Sequence, residues 1–195
     1  MRNPIHKRIE RFETWQNLTF MACLCERMYP NFKLFCDVTE QPEHAKLYQN
    51  ILNLVWEHLT VKGAKINFEN QLEKLENLIP DVNDYDFFGV VPALDACEGL
   101  SELLHAIIAG ETLEQAIKIS RLSMQTVATV LEMEQERELS EAELKSAVEI
   151  QEELDVQWQI YRTLNECEER DTGLILDLKN ELREARLSNI GIEIV

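Results

Sequence analysis

Leu18-Thr19-Phe20-Met21-Ala22-Cys23-Leu24-Cys25-Glu26-Arg27-Met28-Tyr29 is apolar on almost every side when wound at about 100° per residue, the pattern of a helix enclosed by other helices. A helix of that kind needs neighbours all round it, so the stretch points to a helical bundle. Within it, Glu26 and Arg27 fall close to the buried stripe. Upstream, Asn3-Pro4 sets a capping residue ahead of a proline at the first helical position, and Ile5, Ile9, Phe12, Trp15, Thr19 and Cys23 recur at three- and four-residue spacing. The spacing predicts one long first helix over about 4–29, closed by Pro30.

Working outward, Asn31 can cap a short second helix to Val38. Pro42 opens a third helix, with Leu47, Ile51, Leu54 and Leu59 on one face before Gly63, and Asn67 caps a fourth that reaches Pro80. A loop rich in acids and aromatics, residues 81–91, leads past Pro92 into a helix ending at Gly110. Thr112-Leu113-Glu114-Gln115 and Ser140-Glu141-Ala142-Glu143 read as capping boxes, in which a hydroxyl and a residue three positions on satisfy free N–H groups. The first opens a helix over about 113–137, the second a helical stretch to about Leu187. The fold class is all-α, an irregular multi-helix bundle with long first and last helices, in a single domain over 1–195. A straight helix from Val148 to Leu187 would be about 60 Å long, against a diameter of about 42 Å for a compact chain of this size. It must bend, break or protrude. Gly173 is the expected break by propensity, and protrusion would leave Leu178 and Leu182 seeking a partner in a homodimer.

The 195 residues carry 36 acids and 19 bases, a net charge of −17, and are 45% hydrophobic. That supplies a core, and it disfavours direct nucleic-acid binding, because affinity for phosphate backbones comes from Lys and Arg. No run approaches the roughly 18 apolar residues of a membrane span, and the charged N-terminal segment lacks the continuous apolar core of a signal peptide. The five cysteines, Cys23, Cys25, Cys36, Cys97 and Cys167, show no framework spacing and each falls in a helical pattern. Reduced, mostly buried thiols in a cytoplasm are expected. The charge is uneven: residues 131–195 hold 18 acids and 7 bases, whereas residues 1–30 hold 3 and 5.

The chemistry-bearing candidates are charges in apolar places. With Leu164, Cys167, Leu174, Ile175, Leu178 and Leu182 taken as the buried side of the last stretch, Asp171 of the run Glu166-Cys167-Glu168-Glu169-Arg170-Asp171 falls near its centre. Unpaired burial would cost several kcal/mol. The expectation is that Glu26 and Arg27 meet Asp171, with Glu169 or Arg170, in a network that either fixes helix register or forms a ligand-binding or catalytic cluster. A second set, Asp95, Glu98, Glu102 and His105, lies within about 80° on one helix and contains the Glu-x-x-His pair used in di-iron bundles. No second such pair occurs, and the opposite side carries Leu100, Leu104, Ile107 and Ile108, so a solvated face is the plainer role. In the loop, Tyr85 and Asp86 suit a partner contact, although Phe87 and Phe88 can simply pin the loop to the bundle.

Glu149-x-x-Glu152 and Glu168-x-x-Asp171 imitate the paired acidic motifs of helical nucleotide pyrophosphatases, but on one continuous helix they would stand more than about 20 Å apart. Cys23 and Cys25 point about 160° apart and cannot share a metal. His6, His44 and His58 show no ligand spacing with one another. Neither a metal site nor a cofactor is expected.

The runs Phe20 to Asn31, Val91 to Cys97, Glu166 to Asp171 and Ser188 to Gly191 resemble the YjaG-like family of small bacterial proteins, and the likeness covers essentially the whole chain. The resemblance implies an all-helical bacterial cytoplasmic protein. It implies no activity, because the family is one of unknown function with no assigned catalytic residues. Three classes follow: a helical interaction or regulatory protein with a protein partner, a ligand binder or enzyme using Glu26, Arg27 and Asp171, and an acidic protein that engages a basic surface.

Overall fold

The computed structural model describes residues 3–194; Met1, Arg2 and Val195 lie outside them. Among these residues the regular structure is helical: α1 Ile5–Ile9, α2 Thr14–Val38, α3 Pro42–Thr60, α4 Phe68–Glu76, a 3-10 turn Val82–Asp84, α5 Val90–Ala109, α6 Leu113–Glu134, α7 Glu141–Ser146, α8 Val148–Asn165 and α9 Thr172–Ala185. The stretch that opened the reading is the centre of the molecule. Helix α2 is buried along nearly its whole length and packs against α3, α5, α6, α8 and α9.

The long first helix is in fact two. The chain leaves helical geometry after Ile9 and restarts at Glu13, whose extended backbone (φ −70°, ψ 165°) caps α2. Gln16 closes this cap by accepting the Glu13 N–H at 2.8 Å. Its amide Nε2 donates to the carbonyls of Leu164 (2.9 Å) and Cys167 (3.3 Å), tying the start of α2 to the end of α8. At the other end α2 does not stop at Pro30 but continues through it to Val38. A mid-helix proline costs about 3 kcal/mol. Continuing the helix buries Phe32 and Phe35, each contributing about 1.5–3 kcal/mol, so burial outweighs the lost hydrogen bond. Asn31 is therefore a buried residue inside α2, not the cap of a second helix.

The long last helix is broken twice, and not at Gly173. Ala147 takes an extended conformation (ψ 135°) between α7 and α8, and residues 166–171 form a turn between α8 and α9. Asp171 is the cap of α9: its Oδ1 accepts the N–H groups of Gly173 (2.9 Å) and Leu174 (3.1 Å). Two helices of about 27 Å and 21 Å fit a compact body where one of 60 Å did not. Leu178 is buried and Leu182 packs on the core, so the apolar residues that would have called for a homodimer are covered within the chain. Cys167 lies in the 166–171 turn rather than in a helix; Cys23, Cys25, Cys36 and Cys97 are buried, and all five thiols are unpaired.

Of the two capping boxes, Ser140–Glu143 forms as expected. Thr112 caps nothing; its hydroxyl accepts from Asn17 of α2. After α9, Arg186 adopts a left-handed conformation (φ 51°) and the chain turns back as a hook over residues 187–193, closed by an antiparallel bridge between Leu187 and Glu193.

Because Asp171 is an exposed cap and not half of a buried ion pair, Asp171→Ala is expected to cost about 1 kcal/mol, a fall in Tm of roughly 2–4 °C. A loss above about 3 kcal/mol in denaturant titration would return Asp171 to the interior.

Candidate functional site

The structure separates the residues expected to meet. Glu26 and Arg27 are adjacent on α2 and leave it in different directions. The Glu26 Oε1 accepts the Trp56 indole N–H at 2.7 Å and the Arg183 guanidinium, whose Nη2 also reaches Asn53. Arg27 donates through Nε (3.2 Å) and Nη2 (2.9 Å) to Oε2 of Glu153 on α8. Asp171 and Glu169 are exposed. Arg170 points to the end of α3, where it donates to the carbonyls of His58 and Leu59. The expected five-residue cluster is thus two ion pairs, an exposed cap and a helix-end clamp.

Glu153 and Arg183 were missed by sequence reasoning, and for Glu153 a signal existed. The buried residues of α8 are Ile150, Glu153, Gln157, Ile160 and Leu164, a three–four alternation in which two of five positions are polar. An acid on that stripe reads as readily as Asp171 did. It was obscured by the neighbouring acids Glu149 and Glu152.

These two polar positions on α8 anchor a buried seam. Glu153, whose side chain is wholly enclosed, accepts the Ser123 hydroxyl (2.7 Å) and the Gln157 amide (2.9 Å) on its second oxygen. Gln157 in turn accepts from Ser120 (2.7 Å) and from Asn3 (3.2 Å), and the Ser120 hydroxyl meets Nε2 of His6 at 3.0 Å. In the other direction Asn189 of the hook donates to Ser123 and accepts from Asn31 of α2 at 2.9 Å, while its backbone N–H reaches the Arg27 carbonyl. One connected line of hydrogen bonds therefore runs from α1 to the hook through α6, α8 and α2.

The seam surfaces in a pocket of ≈530 Å³ between α6, α8 and the hook. Arg27 and Glu153 line it beside the apolar Val127, Val130, Leu131, Val156 and Ile190, together with the exposed Glu134, Glu149 and Glu152. The hook holds its shape locally: the Ser188 hydroxyl accepts the N–H groups of Ile190 and Ile192, and Gly191 takes a φ of +80° that a side chain would strain.

The other candidates do not converge. Asp95 accepts the Thr126 hydroxyl at 2.7 Å, and burial pushes its carboxyl above the usual range. Glu98 and Glu102 both engage Lys118, and His105 faces the carbonyl of Ser101 on the exposed side of α5. Tyr85 packs edge-on against Phe35 (4.9 Å between centroids) and Phe87, and accepts from Gln41; Asp86 is exposed. Among the described residues no group of three or more His, Cys, Asp and Glu side chains is placed to hold a metal ion, and no helix is long and apolar enough to cross a membrane.

Residues 4–193 match the family described as Protein of unknown function (DUF416). The chain belongs to that family. The DUF416 relatives are bacterial: an uncharacterized protein of Haemophilus influenzae is 68% identical over 193 residues, covering 99% of this chain and 98% of that one. Uncharacterized protein YjaG of Escherichia coli is 55% identical over 193 residues, covering 98% and 97%. The crystal structure of a DUF416 family protein from Shewanella baltica superposes with a TM-score of 0.90 at 31% identity, covering 99% of this chain and all of that one. The resemblance read from the sequence is thus correct, and these relatives bring no activity to the chain.

Two measurements test the seam. Arg27→Met leaves Glu153 buried and unpaired, and is expected to cost about 3–5 kcal/mol, with Glu153→Leu in the same chain restoring most of the loss; a double variant as unstable as the single would show that Glu153 is not paired with Arg27. Burial, then the charge of Arg121, lowers the His6 pKa to about 4. The unfolded chain then binds the extra proton between about pH 6.5 and 4, so stability held above 6.5 is lost as pH falls through that window. His6 is half-exposed, so screening leaves about 1–2 kcal/mol of the effect. His6→Asn should flatten that part of the stability profile.

Proposed function

We propose that this protein is a small regulatory binding protein, one helical domain acting in the cytoplasm, whose pocket between α6, α8 and the hook takes an organic cation with an apolar body. The observation that carries the reading is the charge balance of that pocket. Its basic group, Arg27, is already committed to Glu153, whereas Glu134, Glu149 and Glu152 make no ion pair or hydrogen bond among the described residues. An apolar wall beside uncommitted carboxylates suits an ammonium or guanidinium group carried on a hydrocarbon body. The volume of ≈530 Å³ falls within the roughly 300–1,000 Å³ of small-molecule sites.

A second source of the same chemistry is a Lys or Arg side chain on a partner protein. It is favoured by the 18 acids against 7 bases over residues 131–195, an excess that extends well beyond the pocket and steers basic surfaces toward this half of the molecule. In that reading the protein is an interaction module, and its partners include a second copy of the chain. Five unpaired thiols fit a reducing cytoplasm.

Hexylamine is the probe for the pocket and hexanol its neutral counterpart. Hexylamine at about a hundred times its Kd should add about 2.7 kcal/mol of stability, read as a Tm rise of roughly 5–10 °C. Val130→Trp, which fills the pocket, should abolish the rise. Equal shifts from hexanol, or a shift that survives in Val130→Trp, would remove the pocket from this role.

A further inference from the structure

We propose that the cation taken by the pocket between α6, α8 and the hook is supplied by α1 of a second copy of this chain, so that molecules join head to tail through their own opposite charges. The proposal rests on the reading of that pocket as a cation site and names what fills it.

The donor surface is α1 and the turn that follows it. Ile5 and Ile9 are fully buried, which turns Lys7, Arg8 and Arg11 outward, and all three are exposed. The Arg11 N–H donates to the Arg8 carbonyl at 3.2 Å, a three-residue turn of the kind that sets two side chains on one side. None of the three cations makes a side-chain ion pair or hydrogen bond among the described residues. Exposed cations elsewhere do find acids: Lys46 meets Glu43, Arg137 meets Glu143 and Lys145 meets Glu141. Near α1 the acids are few. Glu10 shares the turn, and Glu13 is spent on capping α2.

The acceptor surface has the matching form. Glu149 and Glu152 are three residues apart on α8, the same interval that separates Arg8 from Arg11, and neighbours at that spacing stand about 5–6 Å apart. Glu134 adds a third carboxylate from α6. Val130, Val156 and Leu187 give the wall along which an arginine stem can lie, with the guanidinium forked on a carboxylate. Leu187 is 44% exposed, and Val148, one residue before Glu149, is 65% exposed. A small ion would leave that apolar surface in water, whereas an arriving helix covers it.

Two molecules of charge −17 repel at long range, but at physiological ionic strength that repulsion is screened beyond about 8 Å, and charge pairs in contact survive. The two surfaces are different parts of the chain, so the contact is heterologous.

The test is the mass of the full-length protein by light scattering, up to about 1 mM. At about 0.1 M salt the mass should rise with concentration with a Kd of about 0.1 mM, and the rise should vanish at about 1 M salt. Arg8→Glu with Arg11→Glu should leave a monomer, as should Glu149→Arg with Glu152→Arg. Mixing the two variants should restore a complex, because each retains the surface the other has lost. Hexylamine should dissociate the unmodified protein. A protein that stays monomeric up to 1 mM at 0.1 M salt overturns the proposal, as does a rise in mass that survives both reversals or a mixture that stays monomeric. The hexylamine stability shift in the Arg8→Glu, Arg11→Glu protein separates the two readings: a shift without any self-association of the unmodified protein keeps the pocket and removes α1 as its occupant, and no shift removes both.

Discussion

Two opposite charges side by side on one buried helix set the terms for everything packed around them. Glu26 and Arg27 sit about 100° apart on α2, so no single neighbour can serve both. Helix α9 brings Arg183 to one flank and α8 brings Glu153 to the other. Apolar replacements could be equally stable, since desolvation consumes most of what a buried pair contributes. What the pairs add is discrimination. Sliding α8 by one turn, about 5.4 Å, would part Arg27 from Glu153, the same slip of α9 would part Glu26 from Arg183, and exchanging the two helices would oppose like with like.

How much of this was legible depended on whether a pattern stayed within one element. The enclosed character of α2, the cap at Asn67 and the box at Ser140 are local, and each appears where the sequence placed it. That Glu26 and Arg27 are enclosed and require partners was equally legible. Their partners were not, because the wheel that put Asp171 on a buried stripe was continued across residues 166–171, where the backbone turns and the angular phase is lost. Pro30 and Glu13 misled for related reasons. Tertiary burial of Phe32 and Phe35 overrides the proline, and a glutamate is an uncommon residue to cap a helix. The hook has no helical or strand signature, so Asn189 gave no sign that it would reach Asn31 and Ser123.

The polar groups of the interior fall into two populations. Along the seam, Glu153, Gln157, Ser120 and Ser123 each engage at least one partner of the line, an arrangement that rigidifies a core. At the N-terminal turns of α2 and α6, by contrast, Trp15, Asn17 and Gln115 each keep a buried atom unmatched. The seam keeps one such atom of its own, the Oδ1 of Asn31, whose amide nitrogen is committed to Asn189.

The seam also determines the order in which the chain can fold. All-helical proteins usually fold quickly because their contacts are local, but here the decisive pairings span 126 residues for Arg27 with Glu153, 157 for Glu26 with Arg183 and 158 for Asn31 with Asn189. Helix α2 is synthesised long before the residues that neutralise it. At about 5–20 residues per second, Arg27 waits roughly 6–25 s on the ribosome for Glu153. During that interval the most extensively buried helix of the protein carries two charges whose ion-pair partners are still to be made. The native enclosure of Glu26 and Arg27 is complete only once α8 and α9 have been added.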